Sequence, residues 1–181
     1  MTGEDERYFV VGNRRWRRSD PAIPDSHRTE LVSELMTARR AVGAAQRAGD
    51  ADALAAARRR VQDAKVALGE RGAPWWEEPS PSDRAARIRA TIRTLLRHRD
   101  PSTICPSDAA RVVGGPSWRS VLPSVRKVAI DMSSEGEIVV RQRGADLEEP
   151  GAARGPIRLA LDQGSGRRSR GSHRAPRHRV G

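Results

Sequence analysis

Cysteine is almost missing from the 181-residue chain, with Cys105 the only one. A single thiol excludes an internal disulfide and any cysteine-rich zinc site, and four scattered histidines offer no metal-ligand spacing. No metal or other cofactor is therefore expected. Aromatic residues are also few, at 3%, so a core must be assembled from Val, Leu, Ile and Ala. No apolar run approaches the roughly 20 residues of a membrane span, and the opening MTGEDERYFVV is acidic where a signal peptide is basic. The expectation is a soluble, cytoplasmic protein with no membrane partner.

Lysine is scarce too, since Lys65 and Lys127 are the only two. Arginine takes its place and gives a net charge of +11. Residues 1–83 hold 14 Lys and Arg against 14 Asp and Glu, residues 84–161 hold 14 against 8, and residues 162–181 hold 6 against 1. The basic surplus thus belongs to the second half, as in a protein that neutralises nucleic-acid phosphates. A coding bias toward Arg and Ala raises arginine without any selection for binding, and composition alone does not separate these readings.

Along the chain, YFVVGNRRWRR (8–18) reads as two short strands around Gly12 and Asn13, a pair suited to a two-residue hairpin turn. A lone hairpin is marginal in water, so it must lean on the segment beyond the Pro-rich SDPAIPDS. From Ser26 the pattern turns helical, with Leu31, Ala38 and Ala45 every seven residues and Leu35 and Val42 between them. After Gly49 and Asp50, a second helix repeats Leu54, Val61 and Leu68, with Ala57 and Ala64 offset by three. Narrow, Ala-rich seams suit two closely packed antiparallel helices. Asp50 caps the second, and Gly69 or Gly72 ends it. In GERGAPWWEEPSPSD, Trp75 and Trp76 either dock back on the helices or form a protein contact.

From Asp83 the order reads helix, helix, helix, strand, strand. Ser82 or Asp83 caps a helix with Ile88, Ile92, Leu95 and Leu96 inward and its arginines outward. A short helix over 106–113 ends at Gly114 and Gly115. A longer one follows over 117–134, with Val121, Leu122, Val125, Val128, Ala129 and Met132 inward. EIVVRQRG and GPIRLAL are strands joined by a loop over 145–154. This is the order of a winged helix-turn-helix. The expected fold is mainly α with small β. An N-terminal β-hairpin and helical hairpin with a Trp-containing linker (1–82) precede a winged-helix domain (83–161) and an Arg-rich tail (162–181) too poor in apolar residues to fold.

The stretches RIRATIRTLL (87–96), TICPSDAARVVG (103–114), WRSVLPSVRKVA (118–129), GEIVVRQRG (136–144) and ARGPIRLAL (153–161) together resemble a bacterial family, domain of unknown function 3253. That resemblance implies a winged-helix fold. YFVVGNRRWRRSDPAIP, VQDAKVALGERG and PWWE resemble the N-terminal extension of actinobacterial members, many labelled biopolymer transporter Tol. An envelope energy-coupling protein needs a membrane anchor, and no stretch of this sequence resembles one.

Cys105 precedes Pro106, a residue preset for a first helical position, so its thiol sits at a helix N-terminus where thiolate is favoured. With His98 as base and Asp100 as orienter it sketches a nucleophilic triad, but no glycine-rich nucleophile elbow or oxyanion loop accompanies it; a redox-sensitive thiol is the other alternative, and packing is the expected role. No enzyme activity is expected. Trp118 either stacks on a nucleotide or locks the second and third helices together. The outward stripe of the third helix is Ser120, Ser124, Lys127 and Asp131, flanked by Arg119 and Arg126, a set suited to phosphates and base edges. Arg141, Arg143 and Arg154 of the wing, assisted by Arg158, can track phosphates, although Asp146, Glu148 and Glu149 oppose them. Arg167, Arg168 and Arg170 of the tail add sequence-independent affinity. The expected function is DNA binding through the third helix and tail, with self-association or partner contact through the helical hairpin. A protein adaptor without nucleic-acid binding is the alternative.

Overall fold

The computed structural model describes residues 4–162. The tail residues 163–181, with Arg167, Arg168 and Arg170, lie outside the described residues. The chain runs α1 (Glu4–Arg7), β1 (Tyr8–Val11), β2 (Arg14–Arg17), α2 (Asp25–Ala48), α3 (Ala51–Ala67), α4 (Pro81–Arg99), α5 (Pro106–Gly114), α6 (Trp118–Ser134), β3 (Ile138–Gln142), β4 (Ala145–Asp146) and β5 (Arg158–Leu161). It is mainly helical, with two small antiparallel sheets.

Gly12 and Asn13 turn β1 into β2 at φ +50° and +59°, the positive angles a two-residue hairpin turn requires. The hairpin leans chiefly on the linker after α3 rather than on the helices alone. Trp76 meets Tyr8 edge-on at 5.5 Å, Trp75 Nε1 donates to the Arg18 carbonyl at 3.0 Å, and Arg17 donates to the Gly72 carbonyl at 2.9 Å. Both indoles are half-buried. Lys65, near the end of α3, lies 5.1 Å from the Trp16 ring.

α2 and α3 form the antiparallel pair. Their seam buries Leu31, Ala38, Ala45, Ala57, Ala64 and Leu68, and leaves Val42, Leu54 and Val61 half-buried. Gly49 turns the chain in the left-handed region, and Asp50 accepts from the Ala53 amide at 2.9 Å. α4 starts at Pro81 and is capped by Ser80, whose hydroxyl accepts from the Asp83 amide at 3.1 Å. The cap falls before the expected Ser82 or Asp83 because proline itself serves as the first helical residue.

Ile88, Ile92, Leu95 and Leu96 of α4 are wholly buried. At about 1.5–3 kcal/mol for each such side chain, this helix is the apolar centre of the fold. The core around it joins Ile23, Leu31, Leu35 and Leu68 of the first half to Val112, Val125, Met132, Val140 and Leu159 of the second. One core therefore crosses residue 82. The second sheet has the order β4-β3-β5, and Ile104, just before α5, is bridged to Leu159 by bonds of 2.9 and 2.8 Å. β4 was not anticipated. Its two residues fold back on Gln142 and Arg141 because Arg143 and Gly144 adopt positive φ.

Candidate nucleic-acid interface

The presentation of α6 begins at the start of α5. Pro106 opens that helix, and Asp108 accepts from the Cys105 amide at 2.8 Å, so the acid and the proline together fix its first turn. Gly114 and Gly115 then set the angle of α6. Gly115 has φ +49°, and a Cβ there would lie 2.8 Å from Ala22 Cβ and 2.9 Å from the Ala22 carbonyl oxygen. A Cβ on Gly114 would lie 2.7 Å from Val121 Cγ2. Only glycine lets α6 close on the turn while the loop before α2 closes on it from the other side.

Trp118, the first residue of α6, is half-buried and packs against the core. Two guanidiniums share its ring, Arg111 at 4.8 Å and Arg119 at 4.6 Å from the centroid. Both arginines are exposed, and neither forms an ion pair among the described residues. Two positive charges held on one rigid indole are ordered before any anion arrives, which lowers the entropic cost of binding one. Trp118 thus packs against the core and also carries two guanidiniums on its ring. Arg111 was missed because it lies on α5, with the glycine turn between it and Trp118, so no helical period connects them.

The other expected contacts are placed unevenly. Ser120 is exposed and donates to the Ser117 carbonyl at 2.8 Å, while Ser124 is half-buried. Lys127 is exposed and pairs with Asp131 at 3.2 Å. Arg126 turns toward the wing and donates to the Gly155 carbonyl at 3.2 and 3.3 Å, so it fastens the loop. Gln142 holds the same loop through the Arg154 carbonyl at 2.6 Å. Arg141 pairs with Asp146 at 2.6 Å, and Arg158 donates to Thr103. Arg143 and Arg154 are exposed without an ion pair among the described residues, beside exposed Glu148 and Glu149.

Residues 85–162 match the model of a family described as Protein of unknown function (DUF3253). Over these residues the chain is similar to the DUF3253 family, and they are called the DUF3253 domain. No curated protein matches the chain. The matched span opens inside α4 and closes just after β5, so the DUF3253 unit is the helical trio with its sheet.

Within the DUF3253 domain, the arginines of α4 do not simply face outward. Arg87 pairs with Asp20, Arg97 with Asp63, and Arg99 with Glu30 and Asp108. Arg93 reaches Asp63 and Glu137, and Arg89 bridges Glu135 and Glu137. Arg84 pairs with Glu78 just outside the helix. Four of these acids, Asp20, Glu30, Asp63 and Glu78, come from the N-terminal half. Much of the domain's basic surplus is therefore neutralised, and among the described residues its arginines without an acid partner are Arg111 of α5, Arg119 and Arg126 of α6, Arg143 and Arg154 of the wing, and Arg158 of β5.

The histidine that reaches the start of α5 is His27 of α2, whose Nε2 lies 3.4 Å from Asp108 Oδ1; His98 is exposed at the end of α4. Burial would raise the Asp108 carboxyl. Hydrogen bonds from His27 and the Cys105 amide, with the Arg99 guanidinium beside them, outweigh burial and hold it at about 2. Cys105 is half-buried beside this cluster. Among the described residues no group of three or more His, Cys, Asp or Glu is placed to hold a metal ion, and no helix is long and apolar enough to cross a membrane.

Proposed function

We propose that the DUF3253 domain is a winged helix that binds DNA, with α6 as the helix presented to the major groove and the loop between β3 and β5 as the wing. The observation that carries this reading is the Arg111–Trp118–Arg119 cluster at the start of α6. The first residues of a recognition helix are those that meet base edges and the flanking phosphates. Guanidiniums are suited to both, since they bind phosphate through a planar fork. The Ile104 bridge to β5 supports the winged-helix reading, because it adds the short third strand that such domains place between their first two helices.

The neutralised α4 sharpens the charge argument. A coding bias explains how many arginines there are, but not why those of α4 all meet acids while Arg111 and Arg119 meet none. Arg126 serves as a wing anchor in this account, and Arg141 is neutralised within the wing; Arg143, Arg154 and the tail arginines supply further phosphate contacts. Cys105 packs beside Asp108 and carries no chemistry. Titrating a labelled duplex with the full chain tests the proposal. Binding at low salt that weakens steeply as salt rises is expected, and no binding at low salt would contradict it.

A second reading, a protein adaptor, draws on the exposed Glu148 and Glu149 of the wing and on Phe9, Val10, Val11 and Trp16, which the N-terminal hairpin leaves exposed. It predicts a partner whose co-purification is insensitive to nuclease.

A further inference from the structure

The N-terminal half is electrically neutral in sum, but its charges are sorted in space. On the core side, its acids meet arginines and a lysine: Asp20, Glu30 and Asp63 hold Arg87, Arg99 and Arg97 of α4, Glu34 holds Arg60, and Glu70 holds Lys65. Apart from Arg60 and Arg28, which also meet acids, many of its own arginines lie elsewhere. The last residue of α2 against the main core is Met36, and the first of α3 is Val61. The segment between them is an arm in which the two helices bury Ala38, Ala45 and Ala57. At 1.5 Å per residue the 12 residues of α2 beyond Met36 extend about 18 Å.

This arm carries Arg39, Arg40, Arg47, Arg58 and Arg59, all exposed and none in an ion pair among the described residues. Its only acids are Asp50, which caps α3, and Asp52. Arg39 and Arg58 each follow a buried seam alanine by one residue, so helical periodicity puts them on the same flank of the antiparallel pair. Arg40 and Arg47, seven residues apart, share the outer back of α2. Like charges gathered on one arm repel, and that repulsion is relieved when an extended polyanion lies along it.

We propose that the α2–α3 arm is a second phosphate-binding surface, which lies along the sugar-phosphate backbone of duplex DNA while the DUF3253 domain reads the groove. The inference rests on the DNA-binding reading above and adds a contact from outside the family domain. A regularly spaced polyanion is favoured over an acidic protein because the arm presents arginines on both a flank and a back. Its only fully exposed apolar residues are alanines, with Val42 and Leu54 half-buried, so a protein partner finds little to anchor in.

The test compares three full-length proteins by fluorescence anisotropy with one labelled duplex, from about 50 to 200 mM salt. They are the wild type, a variant with Arg39, Arg40, Arg58 and Arg59 all replaced by Gln, and a variant with Arg111→Ala and Arg119→Ala. Circular dichroism verifies the helices of each. Each lost phosphate contact lowers the slope of log affinity against log salt by about 0.9, so the arm variant is expected to lose about two to four from that slope. An unchanged slope in the arm variant, with a reduced one in the α6 variant, overturns the arm proposal and leaves the DNA reading standing. Wild type that binds no duplex overturns both. Poly-glutamate that competes as well as unlabelled duplex overturns the nucleic-acid assignment of the arm.

Discussion

Asp108 ties three elements together, although the neighbouring Cys105 draws the eye first. It accepts from the Cys105 amide, meets Arg99 of α4 at 3.0 Å and faces His27 of α2. Its carboxyl sits at about 2 instead of the ordinary 3.8. A group depressed on folding contributes stability that is complete above its unfolded value and is lost as pH falls through the folded one, here between about pH 4 and 2. The size of the depression corresponds to roughly 2 kcal/mol at neutral pH. Asp108→Asn should therefore lower the urea midpoint at pH 7 and flatten the acid limb of a thermal-melt series. An unchanged midpoint would show that the cluster does not hold α5 to α2 and α4. Little of this was legible beforehand, because His27 and Asp108 lie 81 positions apart and nothing local pairs them. Asp50 as a cap was legible, since an aspartate before a run of helix formers needs only its own backbone to act.

Among the elements, the turn between α5 and α6 has the least freedom. Gly115→Ala must place a methyl against Ala22 in a backbone conformation that only glycine adopts readily, and strain of this kind costs about 1–3 kcal/mol before the clash is counted. Gly136→Ala is the control. Its φ is +77°, but a Cβ there meets nothing within 4 Å, so chemical denaturation should show a smaller loss than at Gly115. Equal losses would mean that Ala22 does not brace the turn. The helices themselves were readable from their periods: the α4 stripe and Leu31, Ala38 and Ala45 of α2 turned inward, while in α3 the offset Ala57 and Ala64 are buried and Leu54 and Val61 only half-buried. β4 escaped notice because two residues carry no alternation. The arginines of α4 looked solvent-facing because the acids that meet them come from α2, α3 and the end of α6, a relation only the tertiary fold creates.

At the scale of the molecule, one core and one set of ion pairs join the N-terminal half to the DUF3253 domain. A fragment spanning 83–162 would expose the side of α4 that packs on α2 and α3, and would leave Arg87, Arg93, Arg97 and Arg99 short of acids. It should unfold at a clearly lower denaturant midpoint than the full chain, and an equal midpoint would mean that the halves are independent. The same sorting of charge leaves Arg111 of α5 and Arg119 of α6 beside Trp118, and on them the functional account depends most. The direct measurement is the salt dependence of duplex binding by the full chain beside its Arg111→Ala and Arg119→Ala variant, with unfolding midpoints as a check. The account predicts unchanged midpoints, weaker binding and a slope reduced by about one for each arginine removed. A variant that binds duplex with the affinity and slope of the wild type would contradict it.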